Sequence, residues 1–235
     1  MTRPRQLLLL AGGGHSHALL LRRWLMRPQL KPKDTQVVLV NRASTALYSG
    51  MVPGLVAGLY GLSECSIDLR DLCARAGVTF VRAEITGLDL PGAQLLLAGR
   101  PPLAFDRLSL DLGCQTREAA GQLGVKPLEP FLAWLQQAPR AITIRGGGAA
   151  AVELALALVA RGHQPRLLLR SEQLHLGSPA ANRAGERLLA EAGIPLSRHV
   201  GPDIPADLAC TGSEAPPWLA ASGLPCDPLS GRVWT

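Results

Sequence analysis

The sequence predicts an α/β chain built on two βαβ units with parallel sheets and a small β-meander. Three observations predict it. The apolar run Leu7-Leu8-Leu9-Leu10-Ala11 has strand length, ends in Gly12-Gly13-Gly14, and leads into the helix-compatible stretch Ala18–Met26. The same order returns in the second half of the chain: Ala141–Arg145, then Gly146-Gly147-Gly148, then the strong helix former Leu154–Ala160. Finally, 47% of the residues are hydrophobic but only 4% aromatic. That leaves a core of Leu, Ala and Val, which suits parallel strands buried on both faces.

Each glycine turn carries a specific chemistry. Gly12 lets the chain reverse tightly off its strand, and Gly14 has no Cβ to hold a diphosphate away. The amides of the first helical turn then face the anion, helped by the helix dipole. In the pattern G-x-G-x-x-G the third glycine is replaced by His17 in the first copy and by Ala151 in the second. Alanine is an accepted variant there. One such turn is weak support; two in one chain point to a pair of Rossmann-like dinucleotide folds.

The other elements follow in order. Arg3 and Arg5 before Leu7 mimic the start of a signal peptide, but the apolar run is too short and flows straight into the turn. Arg27-Pro28 and Lys31-Pro32 punctuate a loop, and Gln36–Val40 closes the first βαβ. An acid is expected near the end of that strand to hold a ribose hydroxyl; Asn41 stands there. Tyr48–Gly54 is rich in turn formers and reads as no regular element. An amphipathic helix at Asp68–Ala76 is closed by Gly77. Val78–Ala83, Ile85–Leu90 and Ala93–Ala98 read as the strands of the meander, which Pro101-Pro102 ends. Leu108–Leu112 is a further strand, running into Gly113. Beyond the second turn come a helix around Ala180–Ala192 and a strand at Ile194–Val200.

Charge and cysteines narrow the function. The net charge is +6, with a pI near 9.5. The arginines are scattered, no basic run exceeds two residues, and few aromatics are present for base stacking, so nucleic acid is not the expected partner. Cofactor phosphates and an acidic membrane surface are more economical partners. No stretch approaches a membrane-spanning length. The five cysteines (Cys65, Cys73, Cys114, Cys210, Cys226) are odd in number and show no C-x-x-C spacing. That fits a reduced cytoplasmic setting better than zinc or a secreted disulfide framework. His15 and His17 lack an evident third ligand, so no metal is expected.

Gly12-Gly13-Gly14-His15-Ser16-His17, Tyr48-Ser49-Gly50-Met51-Val52-Pro53-Gly54, Ile67-Asp68-Leu69-Arg70 and Leu110-Asp111-Leu112-Gly113 together resemble the FAD-dependent pyridine nucleotide-disulfide oxidoreductases of the type II NADH dehydrogenase kind. The resemblance is strongest to the dehydrogenase-like module fused to selenide, water dikinase. It implies hydride transfer from a nicotinamide to FAD and electron delivery to a small-molecule acceptor such as a quinone. The cofactors would carry that chemistry and the protein would position them. By this resemblance Gly12, Gly13, Gly14, His15, Ser16, His17 and Asn41 belong to the FAD unit, with Ser49, Gly50, Pro53 and Gly113 near the flavin. Gly146, Gly147, Gly148, Ala149 and Glu153 would take NAD(P)H. Leu167–Leu169 would be its second strand and Arg170 lies beyond it; an Arg there can accommodate a 2′-phosphate or be an ordinary surface residue. Ala206–Gly212 resembles the strand whose Thr211-Gly212 leads back to the flavin domain.

The implied domains are 1–113 for FAD, 114–205 for NAD(P)H, and 206–235 as an incomplete return segment. Members of the family continue to a Gly-Asp that binds the flavin and to a C-terminal domain for dimerisation or membrane docking, so the chain reads as C-terminally truncated. Two functions stay open. One is a cytoplasmic oxidoreductase, or one peripheral on the inner face of a membrane. The other is a non-catalytic nucleotide-binding remnant or subunit completed by a partner chain or a second copy.

Overall fold

Strands form where apolar runs leave the chain no exposed face, and helices fill the crossovers between them. The computed structural model describes residues 6–117 and 121–234, so Arg3, Arg5 and Thr235 lie outside the described residues. In chain order it has β1 (Gln6–Ala11), α1 (His15–Met26), β2 (Thr35–Asn41), β3 (Thr45–Leu47), α2 (Val52–Ala57), β4 (Ser66–Asp68), α3 (Leu69–Arg75), β5 (Thr79–Arg82), β6 (Ile85–Asp89), β7 (Gln94–Leu97), β8 (Arg100–Ala104) and β9 (Arg107–Leu110). There follow β10 (Gln115–Thr116), β11 (Leu123–Gly124), α4 (Leu128–Leu135), β12 (Ala141–Arg145), α5 (Ala149–Ala160), β13 (Gln164–Leu168), α6 (Pro179–Glu191), β14 (Leu196–Ser197), β15 (Leu208–Ala209), β16 (Ser213–Glu214) and α7 (Trp218–Ala221). Packing divides them into two units.

The first unit holds the chain up to Tyr48, Ser66–Gly113, and the stretch from Ala215 onward. Its centre is a four-stranded sheet in the order β5-β2-β1-β9, parallel throughout. Leu9 of β1 aligns with Val38 on one side and Leu108 on the other. Side-chain alternation sends Leu8, Leu10, Val37 and Leu39 to one face, where they meet Leu21, Trp24, Leu69 and Cys73 of α1 and α3. Leu9, Ala11, Val38 and Val40 go to the other, against Leu88, Leu95 and Leu97 of the antiparallel sheet β6-β7-β8 and against Trp218. Each such fully buried aliphatic side chain contributes about 1.5–3 kcal/mol, which is why β1 and β2 tolerate no polar face. Ser222 accepts a hydrogen bond from Leu88 N at 3.0 Å, tying the end of α7 to the meander.

The second unit holds Ser49–Cys65 and Cys114–Glu214. Its five-stranded parallel sheet has the order β11-β15-β12-β13-β14. Ile144 of the central β12 aligns with Leu167 and Leu208. Leu154, Leu158, Phe131, Val52 and Val56 from α5, α4 and α2 close one core with it.

Both glycine turns therefore leave parallel strands and enter helices, and the α/β architecture with two Rossmann-like folds is as expected. Several details differ. Residues 79–82 are no part of the meander; β5 is the edge of the parallel sheet beside β2, because α3 supplies the crossover that a parallel pair needs. The meander runs through Pro101 and Pro102 rather than ending there. Its register jumps from Leu95↔Leu103 to Leu97↔Arg100, so on this outer strand neither proline has to donate. Tyr48–Gly54 does contain regular structure, a single 3₁₀ turn at Ser49–Met51 followed by α2. Pro53 sits in the first turn of α2 and Gly58 ends it in the left-handed conformation at φ 80°. The strand expected at Ile194–Val200 shortens to β14, and α4 was not anticipated. The units change over at Gly113/Cys114 and at Glu214/Ala215 rather than at 205. Residues 49–65 pack with the second unit, and so does the chain through Glu214, because β15 fills the sheet between β11 and β12.

Candidate functional site

In the first unit, β1 and β2 end together at Ala11 and Val40, and Gly12 N donates to Val40 O at 2.8 Å. Gly12 then turns at φ 92°, a conformation that L side chains rarely adopt, and the backbone of Asp111 and Leu112 occupies the place a Cβ would take. Gly14 N donates to Asp111 O at 3.2 Å, and Gly14 precedes α1 in an extended conformation. His15 and Ser16 open the helix, both exposed. Among the described residues their amides have no acceptor, as the start of a helix leaves them. The His15 ring stacks on Tyr48 with centroids 5.0 Å apart.

Two predicted residues are committed inside the protein. Asn41 stands at the end of β2, but its Oδ1 accepts from Gly13 N at 2.9 Å and its Nδ2 donates to Ala43 O at 2.8 Å. It braces the turn instead of reaching outward. His17 is 2% exposed and fills the space of the missing third glycine. Its Nδ1 lies 2.7 Å from Gly12 O and its Nε2 2.9 Å from Ser109 Oγ. A carbonyl only accepts, so Nδ1 carries a proton toward Gly12 O. The imidazole thus replaces close helix–strand packing by a hydrogen-bonded plug.

Asp111, quoted above only within Leu110-Asp111-Leu112-Gly113, takes a role at the first turn that the motif does not show. Its Oδ2 accepts from His17 N at 3.1 Å, and its carboxylate fills the volume a Cβ on Gly14 would take. An anion therefore already faces the N-terminus of α1, where the dipole favours one. That motif says nothing of the turn: Asp111 reaches it because β9 pairs with β1, a contact between residues far apart in sequence.

The second turn is built alike but left open. Gly146 N donates to Leu168 O at 3.0 Å, and at φ 147° Gly146 is packed against the Cys210 backbone. The Leu169 side chain fills the space beside Gly147, whereas a Cβ on Gly148 would meet nothing within 4 Å. Ala151 is fully buried, which explains why the third glycine can be replaced by nothing larger than a methyl. No side chain caps α5 and its first turn holds no acid. Ala149 opens that helix; Glu153 lies on it, exposed. Arg170 is exposed two residues beyond β13. His175 N donates to Gly147 O at 2.8 Å and holds the following loop beside the turn.

Beneath this turn Arg145, 8% exposed, donates to Gly201 O at 3.0 Å, Pro202 O at 3.4 Å and Ile204 O. Ser49 and Gly50 are exposed on the 3₁₀ turn of the second unit, and Pro53 begins α2. Gly113 is exposed at φ 72° where the first unit ends. Gly212, at φ 111°, accepts from Arg117 N at 3.3 Å between β15 and β16.

All five cysteines are unpaired, with Cys65 and Cys73 buried. Burial pushes the Cys73 and Cys210 thiols up to about 12, so both stay protonated and unreactive near neutral pH. Among the described residues no helix is long and apolar enough to cross a membrane.

No protein-family model matches the chain. Over 170 residues, 63% of this chain, it is 32% identical to demethylphylloquinone reductase NdbB of Synechocystis sp., and the match covers 42% of that protein. The chain thus spans less than half the length of this curated relative, to which it is homologous over that stretch. Among solved structures, reduced CoADR-RHD of Bacillus anthracis superposes with a TM-score of 0.80 at 14% identity, over 96% of this chain and 47% of that one. An engineered water-forming NADPH oxidase bound to NADPH gives 0.78 at 15% identity, over 94% and 57%. At such identities these likenesses establish the shared fold.

Proposed function

We propose that the chain carries the two nucleotide sites of a flavin-dependent NAD(P)H oxidoreductase. The first unit takes FAD, the second takes NAD(P)H, and electrons leave to a small-molecule acceptor of the quinone class. The observation that carries the reading is the pair of glycine turns, each leaving a buried parallel strand and entering a helix. Homology to a demethylphylloquinone reductase supports the reductase chemistry and the quinone class. The net reaction would convert NAD(P)H, a proton and a quinone into NAD(P)⁺ and the quinol.

Bound FAD would supply two-electron acceptance and its redelivery. The chain's own part is holding and orienting. The amides of His15 and Ser16 would grip the FAD diphosphate, Gly12, Gly13 and Gly14 would let it approach, and His15 with Tyr48 would flank it. Asn41 and the buried His17 would hold the turn in shape from within. Ser49, Gly50, Pro53, Gly113 and Gly212 belong to the flavin surroundings in this reading. Gly146, Gly147, Gly148, Ala149, Glu153 and Arg170 belong to the nicotinamide nucleotide. The motifs from Gly12 to Gly113 also support kinship with the dehydrogenase-like module fused to selenide, water dikinase. A cytoplasmic location, or one on the inner face of a membrane, and pairing with a partner chain or second copy are parts of the same proposal; the charge of +6 favours an acidic surface.

The test is an absorption spectrum. Purified protein incubated with FAD and desalted should show flavin bands and should reduce a dye with NAD(P)H. A colourless, inactive protein would exclude flavin chemistry.

One observation favours a second reading, a nucleotide binder without flavin: the Asp111 carboxylate beside Gly14 opposes a diphosphate. In that case NAD(P)H alone raises the melting temperature and FAD does not. Asp111→Asn separates electrostatics from shape. It should cost up to about 1 kcal/mol of stability, since a carboxylate near a helix N-terminus is worth roughly that. It should also tighten FAD binding measured by fluorescence quenching. Weaker binding would mean that the carboxylate holds the ligand rather than repelling it.

A further inference from the structure

We propose that the turn after α2 docks on an acidic lipid surface, inserting Leu59, Tyr60 and Leu62 with Arg161 at its base. This gives the membrane location of the preceding proposal a contact surface, and it stands whether or not either glycine turn takes a nucleotide. From Tyr48 to Ser63 the chain carries no charged side chain. Within that stretch Leu59 is 73% exposed, Leu62 56% and Tyr60 42%. The three are held outward by their main chain. Val52 and Val56 anchor α2 in the second core, and Gly58 ends the helix. Leu59 N donates back to Gly54 O at 2.9 Å, and the Tyr60 ring fills the volume a Cβ on Gly54 would take. The chain turns again, Glu64 N donating to Gly61 O at 3.2 Å, and returns inside at Cys65, which is buried. The apolar tip is therefore ordered before it meets anything, which removes a cost of binding.

Charge points to the occupant. The one acid at this turn, Glu64, is tied back to it: its Oε2 accepts from Gly61 N at 2.7 Å. At the base Arg161, exposed at the end of α5, donates through Nη1 to Val56 O at 3.3 Å. A guanidinium thus stands at the C-terminal end of α2, from which the tip projects. Leucines, a tyrosine and then an arginine match the layers of a bilayer surface: hydrocarbon, headgroup level and phosphate. The net charge of +6 draws the chain toward the same surface. A protein partner fits less well. Three side chains on one turn fall far short of the roughly 20–30 residues a side in a stable protein interface.

The test is flotation of the full chain at low salt with vesicles of phosphatidylcholine and phosphatidylglycerol in equal parts, against vesicles of phosphatidylcholine alone. Wild type should float with the acidic vesicles, less so as salt is added or the acidic lipid is withdrawn. The double variant Leu59→Ser/Leu62→Ser should lower the bound-to-free ratio roughly tenfold. Arg161→Gln should lower it about fivefold, and Arg161→Lys should keep it. Met26→Ser removes an equally bare apolar side chain from α1, 69% exposed, and should change nothing. All of these positions are exposed, so melting temperatures should stay near wild type. Wild type that stays off acidic vesicles, or a double variant that floats as well, overturns the docking surface. A dimer in sedimentation without lipid that the double variant breaks would assign the tip to a second copy and overturn it too. None of these readouts uses flavin or nicotinamide, so such a failure leaves both nucleotide sites standing.

Discussion

Gly12→Ala is expected to unfold the first unit or to leave it barely stable. The residue sits at φ 92°, and a methyl there would enter the backbone of Asp111 and Leu112. Left-handed strain costs about 1–3 kcal/mol, and forcing β1 and β9 apart adds overpacking of about 1–3 kcal/mol. Domains are stable by only about 5–15 kcal/mol, so the sum takes a large share. Gly99→Ala is the control, because Gly99 is also left-handed, at φ 61°, but has nothing within 4 Å of a new Cβ. Its loss should stay near 1 kcal/mol, the backbone term alone. Thermal unfolding followed by circular dichroism should show a fall of roughly 6–12 °C or more for Gly12→Ala, and a much smaller one for the control. Equal losses would mean that the close approach of β9 is not what the glycine permits.

Arg145→Met should be nearly as damaging, for a different reason. The guanidinium is buried with three carbonyls, from Gly201, Pro202 and Ile204, as its acceptors. Among the described residues its Nε has no partner. Methionine keeps much of the volume and removes every donor, so those carbonyls must find water or stay unpaired. Leaving buried acceptors unsatisfied costs about 1–3 kcal/mol each, and a total near 3 kcal/mol is expected once the loop relaxes. Because Arg145 directly precedes Gly146, the second turn should loosen too. The readouts are faster proteolytic cutting at 201–204 and weaker binding of NAD(P)⁺, with no change in flavin content. Arg145→Lys should recover only part, since its three donors sit on one nitrogen whereas Nη1 and Nη2 of Arg145 reach separate carbonyls. An unchanged cutting rate would show that the loop is held by other contacts.

Much of the fold was legible because it depends on short patterns. Leu7–Ala11 is apolar on both faces, and only a covered parallel strand suits it; Ala141–Arg145 has isoleucines on one face and Thr143 and Arg145 on the other. The glycines after them announce the turn, since no other residue tolerates φ 92° at Gly12 so readily. Less legible were elements decided by edges and packing. Pro101 and Pro102 look like a stop until β8 proves to be an outer strand with a register jump. Val52–Ala57 looks like loop until Val56 is seen fully buried in the second core.

In the candidate site, the two glycine turns were legible from spacing, and the residues that brace or charge them were not. Asn41 was expected to face a ribose and instead holds Gly13. His175 and Arg145 carried no motif, and the motif of Asp111 did not show its place at the turn. Each acquires its role from a strand pairing or a main-chain bond to a distant residue.

The sequence by itself determined that there are two strand–glycine–helix units and that the first of their strands is buried on both sides. Those properties live within ten or fifteen residues, where side-chain type and backbone freedom suffice. Only the tertiary structure decided what each turn presents, an Asp carboxylate at the first and an open edge at the second. Electrostatics depends on distance in space, and the pairing of β9 with β1 brings a side chain across some ninety residues to face Gly14, His17 among its partners.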